Sequence, residues 1–305
     1  MSMYFMKKLA VALCDLPKSF KYTPSPTLIM TLLVKNEEDI LEQNLIFHKS
    51  MGVDGFIVTD NNSSDGTQAI IQKYIQKGWI KKCILQTDTN YEQKKWVDHM
   101  VWMAKTEFHA DWIINADADE LWYSPSQNLK NELSHTQKNV LRCKMHNIYP
   151  EEDKPIWYWN RIINSVADYE KYDLSTYSIF ERQNCKVIHR AAGYLQISMG
   201  NHKVTMFPQK SLDSDISIYH YCIRGKQHFL TKMINGGKQL EQHKGRHGGR
   251  HWRYFYSLHK QGLLEQEYER VIGNNVFDQL VKEGYIVEDN TIGRYYDEHL
   301  KNKKI

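Results

Sequence analysis

The sequence predicts an α/β chain built on a doubly wound, mostly parallel sheet, and three observations carry that reading. Apolar runs and helix-period segments alternate four times within the first 120 residues. The first run, Leu28-Ile29-Met30-Thr31-Leu32-Leu33-Val34, is continuous rather than alternating, as a strand buried on both faces must be. The connections are short, which forces right-handed crossovers and parallel neighbours.

The elements follow in order. Residues 1–27 read as an extension, with Pro17, Pro24 and Pro26 marking a linker-like stretch before the first strand. Met6-Lys7-Lys8 followed by Leu9–Leu13 imitates a secretion leader, but Asp15 stops the apolar run too early for one. From Glu37 to Met51, Ile40, Leu41 and Leu45 fall at helical spacing behind an acidic first turn (Glu37, Glu38, Asp39), with Gly52 as the stop. Gly55–Thr59 is the second strand and ends in the polar turn Asp60–Thr67. A helix carrying Ile70, Ile71, Tyr74 and Ile75 runs from there to Gly78. A third strand near Ile80–Leu85, a helix from about Tyr91 to Glu107 and a fourth strand, Asp111-Trp112-Ile113-Ile114-Asn115, complete the regular part. Residues 28–125 therefore form one α/β half, 126–235 an irregular second half of the same domain, and 236–305 a basic loop with a helical tail.

Composition excludes several classes. With 41% hydrophobic and 25% charged residues the chain is not disordered. Lys+Arg 40 against Asp+Glu 36 leaves +4, too mild for a dedicated nucleic-acid protein. No apolar stretch approaches the roughly 20 residues of a membrane span, so membrane contact is at most peripheral. Five cysteines without a C-x-x-C pair read as reduced thiols of a cytoplasmic protein. The count of 14 His, 8 Trp and 19 Tyr is high, and sugars, metals and core packing all use those residues.

In open α/β sheets ligands bind beyond the carboxyl ends of the strands, which directs attention to Lys35-Asn36-Glu37, Asp60–Thr67 and Ala116–Glu120. Asp117-Ala118-Asp119-Glu120 crowds three carboxylates, an arrangement that needs a neutralising cation. Mn²⁺ or Mg²⁺ suits such oxygens and can be shared with substrate phosphates, whereas the plain alternative is a set of solvated, capping acids. In the second loop Ser63, Ser64 and Asp65 cap the next helix and Gly66 permits the turn. Capping does not account for Asp60, whose carboxylate can accept from a base N–H or a ribose hydroxyl. Farther on, Lys238, Lys244, Arg246, Arg250 and Arg253 face only one acid, Glu241, with His243, His247 and His251 interleaved. Gly248-Gly249 argues against a helix that would pair His247 with His251 on zinc. A flexible basic loop is expected there, closing over diphosphate or resting on an anionic membrane or acidic glycan, with a merely solvated loop as the default.

Val34-Lys35-Asn36-Glu37-Glu38, Asp60-Asn61-Asn62-Ser63-Ser64-Asp65-Gly66-Thr67 and Trp112–Glu120, in this order at strand ends, resemble the GT-A glycosyltransferases of family 2, in particular the branch with a D-x-D-E motif. The likeness covers residues 28–125 and continues more loosely through Glu181-Arg182, Lys186-Val187-Ile188, Gly200-Asn201-His202 and Ile218–Tyr221. It implies a metal-assisted, inverting transfer from a nucleotide-diphosphate sugar, a UDP-sugar first, to a glycan acceptor in cell-surface polysaccharide or lipopolysaccharide synthesis. The enzyme would work in the cytoplasm, at most against the inner face of the membrane. Carried onto this chain, Asn36, Glu37 and Asp60 face the nucleotide-sugar, Asp117 the ribose or metal-bound water, and Asp119 the metal; Glu120 receives no role. His202 and His220 become further metal or diphosphate contacts, and Arg224 and Lys232 cations for the leaving phosphates. The general base is one of Asp153, Asp168, Glu181 and Asp213. Trp157, Tyr158 and Trp159 lie where an acceptor sugar would stack, with at least one of them in the core. Two other classes compete: a non-catalytic carbohydrate or nucleotide-sugar binding protein, and a nucleotidyltransferase. The lack of a Gly- and basic-rich phosphate loop near Val34 opposes the latter.

Overall fold

The computed structural model describes residues 3–87, 92–242 and 249–302. In chain order the principal elements are α1 (Met3–Cys14), β1 (Leu28–Val34), α2 (Leu41–Ser50), β2 (Gly55–Asp60), α3 (Thr67–Gln76), β3 (Ile80–Leu85), α4 (Gln93–Thr106), β4 (Trp112–Asp117), β5 (Glu120–Tyr123), α5 (Leu129–His135) and β6 (Val140–Asn147). They continue as β7 (Arg161–Ile163), β8 (Lys186–Arg190), β9 (Tyr194–Ile197), β10 (Val204–Met206), β11 (Ser211–His220), α6 (Lys226–Gln242), α7 (Arg250–Lys260), α8 (Leu264–Ile272), α9 (Phe277–Lys282), β12 (Ile286–Glu288) and α10 (Thr291–His299). The chain divides into two compact units, residues 1–145 with 184–218 and 302–305, and residues 146–183 with 219–301. Two of the divisions fall inside β6 and β11, and a third between β7 and β8.

The first unit carries the eight-stranded sheet, ordered β3-β2-β1-β4-β8-β6-β11-β5. The α/β expectation holds. β1 pairs in parallel with β2 and β4, and β2 with β3, through the buried apolar runs read from the sequence. Parallel pairing runs through β3, β2, β1 and β4, whereas β8 runs antiparallel to both β4 and β6. Only Ala118 and Asp119 separate β4 from β5, yet three strands stand between them in the sheet, so the sheet must curl to join those ends. Against the expected start at Glu37, α2 begins at Leu41. The backbone N–H groups of Glu37 and Glu38 are drawn instead to Thr67 Oγ1 (2.8 Å) and Asp65 Oδ2 (3.3 Å). The extension before β1, to which no helix was assigned, contains α1. Its Lys8 is buried against Asp98 (2.5 and 2.6 Å), which also accepts from the Tyr194 hydroxyl.

The second unit has its own core, built largely of aromatic and branched side chains including Tyr172, Phe180, Phe229, Phe255, Tyr268 and Leu280. Two expectations bear on this unit. Where it is described, the segment from Lys238 to Arg253 is mostly helical: Lys238 and Glu241 lie on α6, and Arg250, His251 and Arg253 on α7. His243, Lys244, Arg246 and His247, and with them the zinc pair weighed above, lie outside the described residues. The trio Trp157, Tyr158 and Trp159 packs against its own unit: Trp157 stacks on Tyr296 at 4.8 Å, Tyr158 meets Tyr296 edge-on and donates to Asp297, and Trp159 is buried with its indole N–H on Lys154 O. Trp159 is thus the core member of the trio, while Trp157 and Tyr158, half-buried, each engage Tyr296 of α10.

Gly236 and Gly237 let α6 and α7 touch. A Cβ on Gly237 would lie 2.2 Å from Tyr256 Cβ, backbone-anchored and unable to swing aside. Gly237→Ala is therefore expected to lower stability by about 1–3 kcal/mol despite alanine's better helix propensity. Urea midpoints measure this, and an unchanged or raised midpoint would refute the close packing.

Candidate active site

The acidic turn is held from below by backbone-directed bonds. Asn44 and His48, one turn apart on α2, are both fully buried. The Asn44 carboxamide donates to Ala118 O and Glu120 O, each at 2.9 Å, and so clasps both ends of the turn. His48 Nε2 accepts from Trp122 N–H at 3.0 Å, which leaves the ring proton on Nδ1 for Asn44 O at 2.9 Å. Burial holds the imidazole neutral, with its pKa lowered to about 3. The sequence reading used this stretch only as helical spacing. Its signal was two polar residues four apart on the face that Leu41 and Leu45 bury.

The cation that the three carboxylates require is, in the first instance, a lysine. Lys186 opens β8 with its side chain 3% exposed, donates to Asp117 Oδ2 at 2.6 Å and pairs with Glu120 Oε1. Burial pulls its amine down, but Asp117 and Glu120 outweigh burial and hold its pKa above the ordinary lysine value. For Glu120, burial together with the Asp117 and Asp119 charges pushes the carboxyl up against the pull of Lys186. The other Glu120 oxygen accepts from Asp117 N–H and the Trp122 indole N–H, both at 3.3 Å. Glu120, which sequence left without a role, thus ties the turn together with both oxygens. Beneath it, Thr31 donates to Asn115 Oδ1, and Asn115 Nδ2 meets His189 Nε2 at 3.0 Å, so a buried polar chain links β1, β4 and β8. His189, its pKa lowered to about 4 by burial, is neutral as well.

The residues present fit a hard divalent ion. Asp117 gives Lys186 only one oxygen, and a carboxylate oxygen of Asp119 lies within 4.8 Å of one of Glu120. Three carboxylates against one ammonium leave negative charge, and their donors are all oxygen, the set Mn²⁺ and Mg²⁺ prefer. His202 belongs to this neighbourhood: burial, then the Lys186 charge, lowers its pKa, with Asp117 opposing. Its Nδ1 lies 3.2 Å from Cys185 O, an acceptor that places the ring proton there.

The loops after β1 and β2 are stitched into one ledge, and here Asp60 departs from expectation. It is 1% exposed, its Oδ1 accepts from Ser63 N and Oγ at 3.0 and 2.6 Å, and its Oδ2 accepts from Gln68 at 2.9 Å. The side chain that capping could not account for is the one that organises the turn. Asn36, in the left-handed region at φ 54°, donates its N–H to Ser63 Oγ and accepts from Ser64 N–H. Gly66 N–H reaches across to Glu38 Oε2 at 2.6 Å. Of the candidates for the nucleotide-sugar, Asn36 and Glu37 thus lie on the same ledge as Asp60.

In the second unit, His220 ends β11. Asn147 donates its amide to Ile179 O and so turns its oxygen to His220 Nδ1 at 2.8 Å, making Nε2 the basic nitrogen. Arg224 and Lys232 reach carbonyls of one turn, Tyr221 O and Cys222 O, each at 3.5 Å. Among the four acids offered as general base, Asp153 is exposed and Asp168 is exposed with its carboxylate on Lys171 N–H. Glu181 is exposed as well, with partial desolvation raising its pKa. Asp213, on β11 in the first unit, is bound two-fold by Arg142 (2.7 and 2.9 Å), which lowers its pKa.

The model of glycosyltransferase family 92 matches residues 31–257. Solved structures similar to this chain include S. aureus TarS 1-349, 14% identical over 83% of this chain and 74% of that one, with a TM-score of 0.41. The mannosyltransferase PcManGT from Pyrobaculum calidifontis, in complex with GDP-Man and Mn²⁺, is 12% identical over 99% of this chain and 90% of that one, also at 0.41. Glucosyl-3-phosphoglycerate synthase from Mycobacterium tuberculosis, in complex with Mn²⁺, UDP and its product, is 16% identical over 47% of this chain and 48% of that one, at 0.29. No curated protein matches the chain.

Two outcomes test the site's electrostatics. Lys186→Met leaves buried carboxylates unpaired and is expected to cost about 3–5 kcal/mol in the urea midpoint, part of which Lys186→Met/Glu120→Leu restores. No recovery in the double variant would show that the loss is one of packing. His48 stays neutral when folded, whereas its unfolded ring takes a proton near pH 6.5. Its contribution to stability is full above about 6.5 and falls as pH drops toward about 3. Equilibrium unfolding at stepped pH should show a shallower acid slope for His48→Gln than for wild type, and equal slopes would contradict the assignment.

Proposed function

This chain belongs to glycosyltransferase family 92, and from that premise we propose that it performs a metal-dependent, inverting transfer from a nucleotide-diphosphate sugar to a glycan hydroxyl. The observation that carries this reading is the acidic turn at the end of β4, in which one buried lysine pairs with Asp117 and Glu120 and a carboxylate oxygen of Asp119 lies within 4.8 Å of one of Glu120. The family 2 likeness, with its D-x-D-E motif and GT-A donor site, supplies the residue roles, and a UDP-sugar is the first donor to try.

Asp119 and the second oxygen of Asp117 would hold Mn²⁺ or Mg²⁺, with His202 and His220 as the imidazoles to test beside them. When bound, the ion supplies Lewis-acid stabilisation of the charge that develops on the leaving diphosphate. The protein's own part is to hold those carboxylates in place. Asn44 and Glu120 fix the turn, and Lys186 lowers the repulsion between its acids without cancelling their charge. The ledge of Asn36, Glu37 and the Asp60 turn receives the nucleoside, with Asp60 acting by shaping the turn, and Arg224 and Lys232 are the cations assigned to the phosphates. In the transfer the acceptor oxygen attacks the anomeric carbon and gives its proton to a carboxylate, while the bond to the diphosphate breaks with its electron pair on the departing oxygen. Among Asp153, Asp168, Glu181 and Asp213, Glu181 is the first to test as proton acceptor, since Asp213 is engaged by Arg142. The five free thiols agree with a cytoplasmic enzyme acting on a cell-surface polysaccharide or lipopolysaccharide precursor.

Transfer or hydrolysis of UDP-sugars and thermal shift with UDP and Mn²⁺ test this together. Asp119→Asn should abolish both turnover and the Mn²⁺-dependent shift, whereas Glu181→Gln should lose about 10²-fold or more of transfer and keep the shift. Full activity in Asp119→Asn would refute the metal assignment. Binding without turnover for every donor would leave a binding protein, and pyrophosphate release from a nucleoside triphosphate would point to a nucleotidyltransferase.

A further inference from the structure

We propose that α1 and the turn after it form a docking surface for an anionic lipid bilayer. Large apolar side chains rarely stand exposed in a contiguous group, and a group of this kind marks an interaction site. Met6 is 48% exposed, Leu13 47%, Leu16 41% and Tyr22 62%. Met6, Ala10 and Leu13 share one side of α1, while Lys8 and Ala12 on the other side are buried. This apolar face is held in place. Lys8 is paired with Asp98 and lies 5.3 Å from the Tyr194 ring centre, and Asp15, just past the helix, pairs with Lys105 and accepts from Gly193 N–H. The surface continues onto a neighbouring segment. Gly193 has Ser19 Oγ and Phe207 O at its α-carbon, placing the 39%-exposed Phe207 beside residue 19, and Lys210 Nζ lies 4.7 Å over the Phe20 ring.

Charge selects the occupant. Asp15 is the one acid in residues 3–22 and is taken by Lys105, and Lys8 is taken by Asp98. What this segment turns outward is therefore Lys7, Lys18 and Lys21, all exposed and, among the described residues, none in an ion pair with a carboxylate. An apolar helix face rimmed by cations fits the headgroup and acyl boundary of an anionic bilayer, where the lysines gain from surface potential and the leucines from burial. A protein partner would have to supply both an apolar groove and acids around it. No described helix is long and apolar enough to cross a membrane, so contact through this face is peripheral. This places the membrane contact at α1 rather than on the basic segment around residue 245, and it does not depend on the transfer chemistry proposed above.

The test is co-sedimentation of the full chain with phosphatidylcholine vesicles, alone or containing about one-third phosphatidylglycerol. Wild type should pellet with the mixed vesicles, barely with the neutral ones, and less as salt rises. Lys18→Ala/Lys21→Ala should weaken binding roughly 25-fold, about fivefold per lysine, and Leu13→Asn about tenfold. Both variants should keep the wild-type melting temperature and activity in solution. Should Leu13→Asn fold poorly, the lysine pair and the salt titration decide alone. Equal binding to both vesicle types, or a lysine variant that binds like wild type, would overturn the proposal. A wild-type dimer that Leu13→Asn dissociates would overturn it too and assign the face to a second copy of this chain.

Discussion

The buried ammonium of Lys186 is the contact that makes the acidic turn compatible with a folded protein. Like charges about 4 Å apart repel by roughly 4 kcal/mol at the effective dielectric of a protein surface, and more where water is excluded. Here Glu120 is fully buried and carries two neighbouring aspartates in sequence reach. The lysine offsets that repulsion from the adjacent strand, and Asn44 with His48 fixes the backbone so that the carboxylates cannot swing apart. The outcome is a turn whose negative charge is tolerated but not removed, which is the state a transient divalent ligand requires. A fully neutralised cluster would have no use for one, and an uncompensated cluster would distort the end of β4.

Histidine plays a consistent part. In His48, His202 and His220 the hydrogen on Nδ1 faces an oxygen acceptor, respectively Asn44 O, Cys185 O and the Asn147 carboxamide, and His189 Nδ1 meets Arg190 O in the same way. His48 and His189 direct Nε2 at protein N–H donors, so they are internal links rather than ligands. The aromatic surplus resolves similarly. Trp112 and Trp122 fill the first unit, while most of the tyrosines and phenylalanines around α6, α7 and α8 pack the second.

What was legible in the sequence was whatever depends on one short stretch at a time. The buried runs of β1, β2 and β4 and the crowded acids at 117–120 are local patterns that stand where they were read, whereas in the turn at 60–67 only Asp65 accepts from a helix N–H, that of Thr67, and Ser63 turns to Asp60 and Asn36. What was not legible depends on partners far apart in the chain. The bond from Gln68 to Asp60 was hidden because Gln68 is unremarkable, α2 starts at Leu41 rather than Glu37, and Lys186 was one lysine among many. The antiparallel return of β8 also carries no local signature. α1 escaped because prolines on the far side of it suggested a linker and its apolar stretch suggested only a truncated leader.

The separation of Lys186 from Asp117 by 69 residues bears on how this protein is made. During synthesis the parallel strands β1 to β4 emerge together with their acids, long before the strand that carries the compensating charge. The intervening chain includes residues 146–183, which belong to the other unit. An early α/β intermediate therefore holds an unbalanced cluster at the end of its central strand, and the strand end cannot settle until β8 pairs with β4. Closure of so distant a contact is slow on topological grounds. The acidic turn thus gains its compensating charge only when the chain returns with Lys186 on β8, before β11 is added to the same sheet.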